Sequence, residues 1–211
     1  MPTIEQARAW YYEADPVHDF DHILRVYSMA ERLAQTEGGD LEIIRAAALL
    51  HDVQGGAPGS ETRATHHLRS ADFAGEVLAA EGWSAEKIAA VQHCIRGHRF
   101  RGNDEAPETI EAKIIFDSDK LDVLGAIGAV RVIAYATING QPIYTEPSPL
   151  FLQSGEKMPG EPHSAYHEYL FKLRKIKDRL FTQSARRLAM EREQYLDEFF
   201  RRLAAEMKGA A

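Results

Sequence analysis

Only one cysteine, Cys94, occurs in the 211 residues, so no disulfide can form within the chain and a reducing compartment, the cytoplasm, is expected. Long apolar runs are missing too. Nothing approaches the roughly 20 residues that span a bilayer. The first residues, MPTIEQARAW, lack the basic-then-apolar order of a secretory signal, so no membrane partner is expected. Basic charge is in short supply: 25 Lys and Arg stand against 32 Asp and Glu, a formal net charge of −7. That balance argues against a general nucleic-acid binder, although a local basic pocket can still hold a phosphate. There is no internal repeat, and no composition shift marks a second domain.

What is present is ordinary in bulk and unusual in detail. Hydrophobic residues make up 45% and charged residues 27%, which suits one well-buried domain with a helical extension. The nine histidines are many for this length, and most fall in clusters.

The periodicity is helical nearly throughout, which predicts an all-α fold. Residues 4–14 read as a first helix, ended by Asp15-Pro16. In the next segment, HDFDHILRVYSMAERLAQ, the inner stripe is Val26, Met29, Ala30 and Leu33; stepping back by fours reaches His22 and then His18. Residues 61–81 form a helix carrying His66 and His67. Ser84 caps another, with Ile88, Val91 and Ile95 inward and His93 and His98 at its end. Glu108–Ala136 reads as one long helical stretch ended by Asn139-Gly140. The Pro- and Gly-rich residues 140–163 read as a loop or lid, or as a linker. Helices resume over about 164–208, with one stripe of Tyr169, Leu173, Ile176 and Leu180. A second stripe has Leu196, Phe199 or Phe200, Leu203 and Met207; the aromatic residues Tyr195, Phe199 and Phe200 are a candidate homodimer surface. The core of the single domain spans about 16–136.

The segment LEIIRAAALLHDV, residues 41–53, carries the chemistry. Leu41, Ile44, Ala48 and Leu49 make an apolar face, with Glu42 and Arg45 off it. His51 and Asp52 follow directly on Ala-Ala-Ala-Leu-Leu, where two polar groups face a burial cost unless something satisfies them. A divalent cation would do so, since imidazole and carboxylate are both good ligands. Alone, the dipeptide is also what a locally hydrogen-bonded helix end looks like. Asp117, Asp119 and Asp122 interrupt a second apolar run. On helical spacing, Ile110, Ile114, Asp117, Leu121 and Leu124 share one face, and Ile115, Asp119, Asp122 and Ala126 its neighbour.

The order His22, His51-Asp52 and an aspartate of DSDKLD resembles the HD superfamily of metal-dependent phosphohydrolases. The resemblance extends through HDFDHILRV, AALLHDV, HLRSA, IRGHRFRG, PETIEAKIIFDSDKLDVLGAIGAVR and LFTQSARRLAMER, over roughly residues 10–205. These segments look like the small stand-alone bacterial subgroup that includes predicted nucleotide pyrophosphohydrolases. It implies an HD-type helical bundle with His22, His51, Asp52 and Asp119 as ligands, Asp119 because it directly precedes a Lys-Leu pair. One divalent cation per chain, drawn from Mn, Mg, Fe, Co, Ni or Zn, would activate water against a phosphoester or phosphoanhydride of a nucleotide. Asp52 is then the candidate base, and Arg99 and Lys120 the candidate phosphate grips. His18, His67, His93, His98, Arg96, Asp117 and Asp122 would line the substrate or support the ligands. Gln54 and Gly55 stand where some HD phosphatases carry an acid. The alternatives are a di-iron HD-type oxygenase, which would need two irons, and a nucleotide-binding sensor without turnover.

Overall fold

The computed structural model describes residues 1–11, 20–55, 61–100 and 105–210. Among them every regular element is helical and none is a strand. Ten α-helices follow in order: α1 Ile4–Arg8, α2 Phe20–Glu37, α3 Leu41–Leu50, α4 Glu61–Ala80, α5 Ala85–Gly97, α6 Ile110–Leu121, α7 Gly125–Ile138, α8 Pro149–Ser154, α9 Ala165–Phe171 and α10 Gln183–Met207. Two short 3-10 turns, Leu173–Lys175 and Lys177–Arg179, lead into α10. The chain groups into two compact units. One comprises Met1–Asp119 with Leu180–Ala185, the other Lys120–Arg179 with Arg186–Ala211.

In the first unit α2 packs on α3, α3 on α5, and α4 on α5. Its heart is α3, where Ile44, Ala46, Ala47, Ala48, Leu49 and Leu50 are all fully buried. Such a helix is apolar nearly all round, as expected for one enclosed by neighbours. Leu41, expected on its inner face, is instead 42% exposed, because it sits in the first turn beside the capping Asp40. Asp40 accepts from the amides of Glu42 and Ile43, and Ser84 caps α5 through Lys87. On α2 the stripe Val26, Ala30 and Leu33 is buried, and His22 with it, 1% exposed. Cys94 is buried on α5, and burial together with the charge of Glu111 pushes its thiol pKa far up.

The first helix is shorter than the expected 4–14: α1 ends at Arg8 and gives way to a turn through Trp10. Asp15-Pro16 and His18 lie outside the described residues. The expected single helix over Glu108–Ala136 is two, α6 and α7, with a break at residues 122–124. Gly125, at φ +70°, opens α7 in the left-handed region that only glycine enters without strain.

In the second unit α7 packs on α9. Tyr169, Leu173, Ile176 and Leu180 are buried as their spacing suggested, the last of them in the first unit. Phe200 is fully buried and stacks on Tyr169 at 4.3 Å, so it belongs to the core and not to a free surface; Tyr195 is exposed. The segment 140–163 contains the short helix α8 and is tied together by Glu161. That carboxylate accepts from the amides of Ser148 (2.8 Å) and Met158 (2.7 Å) and lies 3.1 Å from His167 Nε2. The Ser148 hydroxyl first, then these amide bonds and His167, lower the Glu161 pKa to about 2. No single helix among the described residues is long and apolar enough to cross a membrane.

Candidate metal centre

Four histidines from four helices or their ends meet in the first unit. His22 comes from the first turn of α2 and His51 caps the C-terminus of α3. His66 stands on α4, and His98 caps α5. Their rings form a chain: His22 to His51 at 5.6 Å, His51 to His98 at 5.1 Å, His98 to His66 at 5.3 Å. Asp119, from the last turn of α6, places Oδ1 3.5 Å from His22 Nε2. Asp52 Oδ1 lies 2.9 Å from His66 Nε2 and 3.5 Å from His98 Nε2.

Local bonds set the ring orientations. His51 Nδ1–H donates to the Ala48 carbonyl at 2.9 Å, and His98 Nδ1–H donates to that of Ile95 at 2.5 Å. In both, the residue three positions back takes one nitrogen and leaves Nε2 facing inward. This is how protein ligands to metals are commonly oriented. His51 Nε2 is buried and has no hydrogen-bond partner among the described residues. Its burial lowers the pKa to about 4 against the pull of Asp52, so the imidazole is neutral and can lend its lone pair. Burial alone would raise the Asp52 carboxyl. The nearby His51, with hydrogen bonds from His66 and His98, outweighs that and holds it well below the usual carboxylate range.

Two donor sets result. His22, His51 and Asp119 offer ligand atoms within 4.8 Å of one another, as do Asp52, His66 and His98. Ligands about 2 Å from a shared first-row cation stand about 3–4 Å apart, so these spacings fit such an ion with small adjustments. The buried, unpartnered His51 Nε2 is the atom that most directly calls for one.

Other expected site residues fall elsewhere. Asp117, two residues before Asp119, accepts from the amides of Phe181 (2.9 Å) and Thr182 (2.7 Å) and from the Thr182 hydroxyl (2.7 Å). Thr182 Oγ1 in turn accepts from Ala185 N–H, so this carboxylate anchors the start of α10. His93 is engaged at both nitrogens: Nδ1 with Glu105, and Nε2 accepting from the Glu108 amide. Arg96 pairs with the same Glu105. Asp122 pairs with Arg131 in the second unit, which also contains Lys120. Arg99 donates to the Ala64 carbonyl at 2.5 Å and brings Nη1 to 3.3 Å from His66 Nδ1, at the edge of the histidine chain. His67 is buried with its ring 5.7 Å from that of His66. Of this adjacent pair it is His66, absent from the expected set, that reaches Asp52. After the dipeptide, the Gln54 amide donates to Ser70 Oγ at 3.1 Å, tying the turn to α4 one helical turn beyond His66.

Comparison with known proteins identifies the family and the fold. The family model described as HD domain matches residues 19–124. The Bacillus subtilis (strain 168) protein YpgQ is 30% identical over 217 residues, covering 99% of this chain and 96% of that one. A crystal structure of Bacillus subtilis YpgQ in complex with ADP superimposes with a TM-score of 0.75 at 28% identity, over 99% of this chain and all of that one. An HD-superfamily hydrolase from Bacillus thuringiensis gives 0.71 at 31% identity, covering 97% and 94%. With the helical architecture and the His, His-Asp, Asp order carried on α2, α3 and α6, the chain belongs to the HD domain family and has the fold of its hydrolases.

Proposed function

We propose that the protein is a cation-dependent phosphohydrolase acting on a nucleotide, releasing pyrophosphate from a nucleoside triphosphate. The observation that carries this reading is the His22–His51–Asp119 set around the unpartnered His51 Nε2. The ADP complex of YpgQ, which matches nearly the whole chain, supports a nucleotide as the ligand class. In this reading His22, His51, Asp52 and Asp119 hold one divalent cation. Such a cation lowers the pKa of a coordinated water towards neutrality and offsets phosphoryl charge. Asp52, kept ionised by its surroundings, orients the attacking water and accepts its proton at the carboxylate. His66 Nε2–H, 2.9 Å from Oδ1, donates the hydrogen bond that holds that carboxylate in place. Arg99, at the rim beside His66, is the side chain best placed to meet a phosphate; Lys120, next to Asp119 in sequence, is the other candidate.

The second donor set favours one further reading. Asp52, His66 and His98 could take a second ion, as an oxidative di-iron centre would require. Elemental analysis of gently purified protein, run beside a phosphate and pyrophosphate release screen with Mn and Mg, separates the two. One cation per chain with pyrophosphate release supports the hydrolase. Two irons per chain without release would replace it with the oxygenase. His51→Ala and Asp52→Ala are each expected to abolish cation retention and turnover together, and full activity in either would remove the site assignment.

A further inference from the structure

Three helices that carry the centre's side chains are met by one short segment, the first eleven residues. A capping box between Thr3 and Gln6 fixes α1. The Arg8 guanidinium lies over the Phe20 ring at 4.4 Å, two residues ahead of His22 on α2. Trp10 meets Phe73 of α4 edge-on at 5.3 Å. Tyr11 lies with its ring 5.4 Å from that of Phe20, and its hydroxyl donates to the Leu49 carbonyl of α3 at 2.9 Å.

That last bond falls where it matters for geometry. A helix ends with carbonyls that have no amide partner in the helix. At the end of α3 the Ala48 carbonyl takes the His51 ring N–H, the Leu50 carbonyl takes the Val53 amide at 3.4 Å, and the Leu49 carbonyl takes the Tyr11 hydroxyl. The hydroxyl is therefore tied to the last turn of α3, two residues before His51.

We infer that Tyr11 is a positioning residue for the candidate centre: its hydroxyl fixes the turn Leu49–Asp52 and so sets where His51 Nε2 and the Asp52 carboxylate stand. Phenylalanine at this position keeps the ring against Phe20 and leaves the Leu49 carbonyl without its donor. This role rests on reading the site as a cation centre.

Titration of the full-length protein with Co²⁺, followed by its visible d–d absorption, tests the two separately. Wild-type protein that takes up no Co²⁺ would overturn the cation reading and Tyr11's role with it. Given wild-type uptake, Tyr11→Phe is expected to bind Co²⁺ about tenfold more weakly, in line with the loss of a supporting contact around a ligand. Its absorption bands are expected to shift while its far-UV circular dichroism stays that of the wild type. Trp10→Phe, which loosens the same segment at Phe73 but spares the phenol, should lower the melting temperature and leave bands and affinity unchanged. Wild-type affinity and bands in Tyr11→Phe, or an equal shift in Trp10→Phe, would overturn the positioning role alone.

Discussion

Asp117 and Asp119 stand two residues apart on α6 and have different neighbours. Asp117 is fully buried and satisfies three donors at the start of α10, so Asp117→Ala would strand them at a cost of about 3 kcal/mol or more. Asp119 faces His22, and Asp119→Ala is expected to cost little stability while removing cation binding and turnover. Urea unfolding beside a cation-binding assay checks the pair; the opposite pattern would exchange their roles. His51 gives a second expectation at this scale. Its folded pKa of about 4 lies below the 6.5 of a free imidazole, so folding favours the neutral ring. The stability it contributes is fully present above pH 6.5 and is lost as pH falls from 6.5 towards 4, on the order of 3 kcal/mol in all. The stability contributed by the depressed Asp52 carboxyl is present above its ordinary pKa of 3.8 and is lost as pH falls from there towards its lower folded value, so it touches only the acid edge of this window. Unfolding of cation-free protein across pH 4–7 measures the slope, and a flat profile would mean that the ring is not buried uncharged. His22 and the His51-Asp52 pair were legible in the sequence, because fours along α2 and the Ala-Leu run of α3 both point inward. His66 was not, because two adjacent histidines differ by a turn of about 100° and α4 has too mixed a face to say which points in.

At the scale of elements, helix caps were the most legible feature: Ser84 before α5 and Asn139-Gly140 after α7 stand where the residue types indicate. The break between α6 and α7 was hidden, since the apolar run continues through it and Gly125 reads equally as a close-packing site. Its positive φ, with Arg192 Cγ 3.2 Å from where a Cβ would lie, shows why glycine is needed there. The segment 140–163 is likewise more ordered than its Pro and Gly content suggests, because Glu161 gathers backbone amides 3 and 13 residues away in sequence. Glu161→Ala is expected to speed hydrogen exchange at the Ser148 and Met158 amides while leaving α2 and α3 protected. Uniform protection in the variant would show that α8 and its flanks are held by packing alone.

For the whole molecule, all six groups of the candidate centre, His22, His51, Asp52, His66, His98 and Asp119, lie within the first unit, while Lys120 and Asp122 lie in the second. A cation bound there is linked to folding, because the ligands come from segments up to about a hundred residues apart in sequence. At a hundredfold excess over its dissociation constant a ligand adds about 2.7 kcal/mol. Chelation is therefore expected to lower the melting temperature by about 5–10 °C for a chain of this size. A scan after verified cation removal checks this, and no change would exclude a strongly bound ion. The buried Cys94 has a practical consequence for all of these measurements. A thiol enclosed on α5 and held protonated does not react with maleimides or iodoacetamide while the fold is intact. A cysteine introduced on the exposed face of α7 or α10 would be the only reactive one, so fluorophores or spin labels can be attached to it selectively in the otherwise native chain.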